Sequence, residues 1–168
     1  MIPDFFMGNI FKTTIGSPVG YLELTANQES LLSVSFVDNF IQSSDIQSDI
    51  LKETVRQLDE YFKGARKVFN LNLKLSGTDF QIKVWKQVEK VTFGRTVSYL
   101  DIAIQTGSKN NTRAVGFANG KNPIPIIIPC HRVIGVNGKL TGYAGGLERK
   151  KWLLQHELRN STNSNRLF

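Results

Sequence analysis

Over the first 75 residues apolar and polar positions alternate, switch once to a helical period, and then alternate again. Ile10 to Ile15 is rich in β-branched residues, and Gly16-Ser17-Pro18-Val19-Gly20 follows as a turn. Leu22 and Leu24 alternate with Tyr21, Glu23 and Thr25. A second turn covers Ala26 to Glu29, after which Leu32, Val34 and Phe36 alternate with serines. This pattern predicts a three-stranded meander with one buried face. Between residues 45 and 63, Leu51, Val55, Leu58 and Phe62 fall on one helical stripe, with Gly64 as the stop. Phe69, Leu71, Leu73 and Leu75 alternate with polar residues and predict a further strand. Residues 1–75 therefore read as a small α/β lobe.

After Ser76-Gly77 the pattern is mainly helical. Thr78-Asp79-Phe80-Gln81 is a capping box opening a helix that carries Phe80, Val84, Trp85 and Val88 and ends at Thr92-Phe93-Gly94. Ser98-Tyr99-Leu100-Asp101 starts a second helix with Ile102 and Ala103 inward, and Thr106-Gly107 turns. A third helix covers about Asn111 to Asn119 and stops at Gly120. Two short helices around a glycine turn outline a helix-turn-helix, an outline shared by many hairpins that bind nothing. A last helix, about Glu148 to Leu158, has Trp152, Leu153 and Leu154 inward, and an Asn/Ser-rich tail follows. The expected fold is α/β in the α+β sense. It comprises a lobe over residues 1–75, a mainly helical domain over 76–158 with a helix-turn-helix, and a flexible tail over 159–168.

Charge divides the chain at the same place. Residues 1–79 hold 7 Lys/Arg against 10 Asp/Glu, a net of −3; residues 80–168 hold 14 against 4, a net of +10. A basic half beside an acidic one points to a polyanionic partner, although a solubilising surface charge produces the same sum. The third helix contributes Arg113-Ala114-Val115-Gly116-Phe117-Ala118, whose small residues let its backbone approach something large. Arg113 sits in its first turn, where the helix dipole disfavours a cation, so it is either a functional residue or a solvated one. No apolar run approaches membrane-spanning length and the start lacks a basic leader, so a soluble intracellular protein is expected.

The sequence has one cysteine and two histidines, too few for an internal disulfide or a zinc site built from these residues. That cysteine ends the segment Asn122-Pro123-Ile124-Pro125-Ile126-Ile127-Ile128-Pro129-Cys130-His131-Arg132-Val133. The prolines prevent a helix and the isoleucines bury the segment. A thiol reacts as its thiolate, which a nearby imidazole and positive charge favour. Cys130 is thus a candidate nucleophile; a structural core cysteine beside a surface His-Arg pair is the alternative.

Pro129-Cys130-His131-Arg132-Val133 resembles the signature of the O6-alkylguanine-DNA alkyltransferases, the methylated-DNA–protein-cysteine methyltransferases. The resemblance extends upstream through Phe80-Gln81, Val84-Trp85, Gly94, Ser98-Tyr99, Arg113-Ala114-Val115-Gly116 and Asn122-Pro123. Downstream it takes in Gly142-Tyr143-Ala144-Gly145-Gly146-Leu147 and Lys150 to Glu157. It is dense over about residues 78–158 and rests only on lobe size and layout before that.

The resemblance implies stoichiometric, irreversible transfer of a methyl or other alkyl group from O6 of guanine, or O4 of thymine, to Cys130. His131, through a water, and Glu157 would draw off the thiol proton. Asn122 would brace the cysteine's turn, and Tyr99 would donate towards N3 of the guanine with help from Lys150. Arg113 would fill the gap left by the flipped nucleotide, with Ala114 and Gly116 on the same recognition helix. Tyr143 and Ala144 would wall the base pocket, and the carbonyls of Cys130 and Val133 would accept from the guanine amino group. The implied partner is the minor groove of double-stranded DNA carrying O6-alkylguanine. No membrane, cofactor or metal is expected, and a monomer working in the cytoplasm, or the nucleus of a eukaryote, is. Some members hold zinc in the N-terminal lobe through Cys and His, and residues 1–79 contain neither. Ala144 stands where some relatives carry serine, so a contact there would come from the backbone. Two other readings remain: a non-catalytic alkyltransferase-like binder of damaged DNA, and a helix-turn-helix transcription factor with a redox thiol.

Overall fold

The computed structural model describes residues 8–42, 46 and 48–162. The chain divides into two compact units, Met1–Leu75 and Ser76–Phe168.

In the first unit β1 (Phe11–Ser17), β2 (Gly20–Ala26) and β3 (Leu31–Val37) form an antiparallel sheet in the order β1-β2-β3. Gly20, at φ 101°, closes the first hairpin, where the Ser17 hydroxyl donates to its carbonyl at 2.6 Å. Period two puts Leu22, Leu24 and Ala26 on the buried face. Helix α1 (Asp49–Phe62), capped by Ser48, buries Leu51, Leu58 and Tyr61 on its own inner stripe. The expected fourth strand over Phe69–Leu75 does not form. That segment makes one parallel bridge, Leu31 to Leu73, and is further held by side chains: Gln57 pairs with both backbone groups of Asn70 at 2.8 and 2.9 Å, and Asn72 Nδ2 donates to the Glu29 carbonyl at 2.8 Å. A side-chain amide there satisfies the backbone that a ladder would otherwise serve.

In the second unit α2 (Asp79–Glu89) opens on the expected capping box of Thr78 and Gln81. Then come β4 (Val97–Ser98), α3 (Tyr99–Thr106), a 3-10 turn at Lys109–Asn111 and α4 (Thr112–Gly120). Ser98 and Asp101 form a second capping box at α3. Val84, Trp85, Val88, Ile102, Val115 and Ala118 pack these helices together, and the Trp85 indole donates to the Ala118 carbonyl at 2.8 Å. The proline-rich segment crosses this core with Ile124, Ile126 and Ile128 fully buried. A second 3-10 turn, Cys130–Arg132, leads into β5 (Val133–Ile134), which pairs in parallel with β4 through Val97–Val133 and Ser98–Ile134. Helix α5 (Leu147–Thr162) ends the unit and runs past the expected stop at Leu158, so the first residues of the expected tail are helical. The rest of that tail, 163–168, lies outside the described residues. The inward face of α5 is Lys150, Leu153, His156 and Glu157, whereas Trp152 and Leu154 are half-buried.

Candidate active site

The chemistry-bearing cysteine sits at the start of a turn that the preceding segment shapes. Asn122 donates through Nδ2 to the Ile128 carbonyl at 2.8 Å and accepts through Oδ1 from the Ile124 amide at 2.9 Å. One side chain thereby staples both ends of a turn in which Ile126 takes φ 75°, a conformation that β-branched residues avoid. The Cys130 amide then donates to the Ile128 carbonyl at 2.8 Å. Parallel pairing of β4 with β5 sets Ser98 opposite Ile134, and the Tyr99 that follows is tied back towards the cysteine's end of β5 by Lys150, which donates to both the Tyr99 hydroxyl and the Val133 carbonyl.

Cys130 is buried at 3% exposure. Burial pushes its thiol up to about 11, opposed by the Asn122 amide, the Lys150 charge and nearby backbone amides, all of which favour the thiolate. The sulfur is therefore protonated at rest in surroundings arranged to receive the anion.

His131 is fully buried, and its Nε2 lies 2.6 Å from Glu157 Oε1. A carboxylate only accepts, so Nε2 carries the proton and Nδ1 keeps its lone pair. Nδ1 is buried and makes no hydrogen bond among the described residues. Burial lowers the imidazole's basicity; Glu157 opposes this, and the Arg132 and Lys150 charges add to it, which leaves a neutral ring at rest.

Glu157 is held by four hydrogen bonds from three residues. Arg132 donates from Nε to Oε2 at 2.9 Å and from Nη2 to Oε1 at 3.0 Å, a bidentate fork. The Gly94 amide donates to Oε2 at 3.0 Å, and His131 holds Oε1. Burial raises the carboxyl, but His131 and Arg132 outweigh it and keep the group ionised well below the usual carboxylate range. Arg132 also donates to the Val91 carbonyl and lies over the Phe93 ring at 5.8 Å. Gly94 is required at its position: it takes φ 74°, and a Cβ there would meet the Ser161 Cβ at 2.7 Å.

Lys150 is completely buried, and its ammonium donates to the carbonyls of Val133 at 2.6 Å, Thr141 at 2.9 Å and Gly142 at 3.3 Å, and to the Tyr99 hydroxyl at 3.3 Å. Burial draws it down to about 8. The Tyr99 hydroxyl donates to the Thr141 carbonyl at 2.9 Å. This lysine ties β5, the loop carrying Tyr143 and Ala144, and Tyr99 into one assembly.

The residues singled out in the sequence fall into two groups. Cys130, His131, Glu157, Asn122, Tyr99, Val133 and Lys150 are linked by the contacts above. Arg113 and Ala114 are exposed on α4, with Gly116 half-buried where an added Cβ would lie 3.9 Å from the Tyr99 ring. Tyr143 is half-buried and Ala144 exposed in the following loop. Sequence reasoning missed Asn119, whose Nδ2 donates to the Cys130 carbonyl at 3.2 Å, and the clamp made by Arg132 and Gly94. The signal for Asn119 was a polar residue sharing the inner face of α4 with Val115 and Ala118. Among the described residues no cluster of three His, Cys, Asp or Glu side chains is placed to hold a metal, and no helix is long and apolar enough to cross a membrane.

Residues 79–159 match the model of the 6-O-methylguanine DNA methyltransferase DNA-binding domain, and residues 10–75 match that of its ribonuclease-like domain. The chain belongs to the 6-O-methylguanine DNA methyltransferase family. Its activity is repair of O6-alkylguanine in DNA by methyl transfer to a protein cysteine. A methylated-DNA–protein-cysteine methyltransferase of Mycolicibacterium paratuberculosis is 43% identical over 159 residues, covering 92% of this chain and 96% of the relative. The crystal structure of Mycobacterium tuberculosis O6-methylguanine methyltransferase superposes with a TM-score of 0.82 at 42% identity, covering 90% of this chain and 94% of that one. A structure of the M. tuberculosis protein in complex with DNA gives a TM-score of 0.81 at 43% identity, covering 89% and 93%. Family membership thus spans both units, including the N-terminal one, whose motifs alone do not declare it.

Proposed function

We propose that Cys130 is the alkyl acceptor and that His131, Glu157 and Arg132 are the proton relay that makes it nucleophilic. The supporting observation is the buried chain Arg132–Glu157–His131, which ends on an unprotonated Nδ1 one residue from the family's cysteine. The thiol proton passes to Nδ1 through a water molecule. The sulfur attacks the alkyl carbon, the S–C bond forms, the C–O6 bond breaks, and its electron pair stays on the base. Tyr99 supplies a proton towards N3, so the base leaves neutral, and Lys150 supports that hydroxyl. Proton transfer from Cys130 to His131 leaves the cluster's net charge unchanged, because a thiolate and an imidazolium replace two neutral groups. A thioether has no easy leaving group, so each molecule acts once.

The base reaches this buried sulfur by extrusion from the duplex. Arg113 and Ala114, exposed on the small-residue face of α4, suit entry at the minor groove, with Arg113 filling the vacated place. Tyr143 and Ala144 wall the pocket. The basic C-terminal unit contacts phosphates, and the protein acts as a monomer in the cytoplasm, or the nucleus of a eukaryote. O4-alkylthymine is a further substrate of the same site.

Intact mass after incubation with an oligonucleotide carrying O6-methylguanine tests the reading. One methyl per protein, mapped to Cys130 and absent in Cys130→Ser, is the expected result. Methylation elsewhere, or repeated turnover, overturns it. DNA binding without any transfer would instead indicate the non-catalytic binder.

A further inference from the structure

Arg113, Phe117 and Lys121 recur every fourth residue along α4 and its C-cap, so their side chains share one face. All three are exposed, Phe117 at 66%, and the Lys121 ammonium lies 5.5 Å from the centroid of the Phe117 ring. Arg113 and Phe117 also line an open groove of about 810 Å³ between α4 and the start of α2, whose apolar walls include Phe80 and Ala114. Among the described residues lining it, Arg113 alone is charged.

A lone exposed apolar side chain is ordinary on a folded protein. Phe117 differs in its place: it stands on the ridge of the helix that the function proposed above sets against DNA, one turn or about 6 Å along from Arg113. A rigid helix that puts Arg113 into the minor groove carries Phe117 in with it. The occupant of the groove must match an apolar floor bordered by cations. A DNA strand has that make-up, because its deoxyribose rings present C–H surface and a phosphate flanks each ring. An apolar patch of another protein would match the floor and leave the cations without a role.

We propose that this groove receives the sugar edge of one strand of the duplex, with the Phe117 ring packed against deoxyribose in the minor groove and Lys121 against the adjoining phosphate. The inference rests on the proposed minor-groove entry of Arg113. Phe117 then supplies a grip that is apolar and indifferent to base sequence, on a helix whose other contribution is charge.

The test is affinity for an undamaged A·T-rich duplex, measured by fluorescence anisotropy between about 50 and 200 mM salt. Each phosphate contact steepens the fall with salt by about one power, and an apolar contact does not. Phe117→Ala should weaken binding about tenfold at every salt concentration with the slope unchanged, and Phe117→Leu should recover most of the loss. Lys121→Gln should instead flatten the slope by about one. The loss on Phe117→Ala should persist in the Lys121→Gln background, which separates the ring's own contact from an effect through the lysine. Thermal melting, expected to be unchanged at so exposed a site, shows that each variant is folded. Netropsin, which fills the minor groove, should displace the protein. No loss in folded Phe117→Ala, or a loss that vanishes in the Lys121→Gln background, overturns the proposal, and an unchanged slope in Lys121→Gln removes the phosphate contact. A dimer that dissociates on Phe117→Ala overturns it in favour of a second copy of the chain. Binding that withstands netropsin refutes the minor-groove entry of Arg113 and this inference with it.

Discussion

His131 Nε2 and Glu157 Oε1 stand 2.6 Å apart with both side chains essentially removed from water. This contact commits the imidazole to one tautomer and turns its other nitrogen into a base. If the pair works as a unit, Glu157→Gln and His131→Ala should each slow alkyl transfer at neutral pH. The double variant should lose little more than the worse single one. Single-turnover kinetics on a methylated oligonucleotide check this, with DNA affinity measured alongside and expected to hold. Losses that simply add would mean that the two residues act separately.

A thiol pushed up to about 11 by burial should resist small alkylating reagents at neutral pH. Its reaction with iodoacetamide should climb about tenfold per pH unit from pH 7 to 10, following the thiolate fraction. A plateau near the ordinary thiol value of about 8.5 would show that the sulfur is not desolvated in solution.

Arg132 should matter to stability more than any exposed ion pair of the chain. Its removal takes away the bidentate fork and leaves Glu157 buried with its charge less well compensated. Arg132→Met should therefore lower the unfolding free energy by about 3–5 kcal/mol in urea titrations. The exposed pair Lys63–Asp59 should contribute under about 1 kcal/mol. Acid should act through the same cluster. Glu157 titrates lower in the folded chain than in the unfolded one, so its stabilisation is complete above the usual carboxylate value of 4.5 and is lost as pH falls towards the folded value. His131, kept neutral by burial, shifts the balance the same way below its usual 6.5, because only the unfolded chain takes up that proton. Melting temperature should fall from pH 7 to pH 4, and less steeply in a folded Glu157→Gln variant.

Arg113 is exposed on α4. Arg113→Ala should leave the melting temperature unchanged and slow repair in duplex DNA by tens-fold or more, since extrusion costs a few kcal/mol. Reaction with the free O6-methylguanine base should be nearly unaffected. Equal losses on both substrates would assign the arginine a structural role instead.

What could be read before folding was local. The boxes Thr78/Gln81 and Ser98/Asp101 determine helix starts through bonds that span three residues, so both were legible. So was the meander, because period two leaves one apolar face. The strand expected over Phe69–Leu75 was not real, because alternation reports which side chains are buried and not which backbone partner is available. Beyond the single bridge to Leu31, the Gln57 side chain, thirteen residues from Asn70, took the place of that partner.

On α5 the apolar residues Trp152 and Leu154 drew attention to a face that is only half-buried. The helix turns inward a mostly polar set, Lys150, Leu153, His156 and Glu157, spaced at three, six and seven. Hydrophobic patterning cannot find such a face, because its burial is compensated by partners from elsewhere in the chain: Val133, Thr141, His131 and Arg132. The sequence by itself determined the local geometry, the charge asymmetry and a candidate nucleophile, all carried by residue type and short spacing. Only the tertiary structure decided which nitrogen of His131 is free, that Arg132 clamps Glu157, and that Asn119 lies against the Cys130 carbonyl. Hydrogen bonds between residues far apart in the chain exist only once the intervening core has packed.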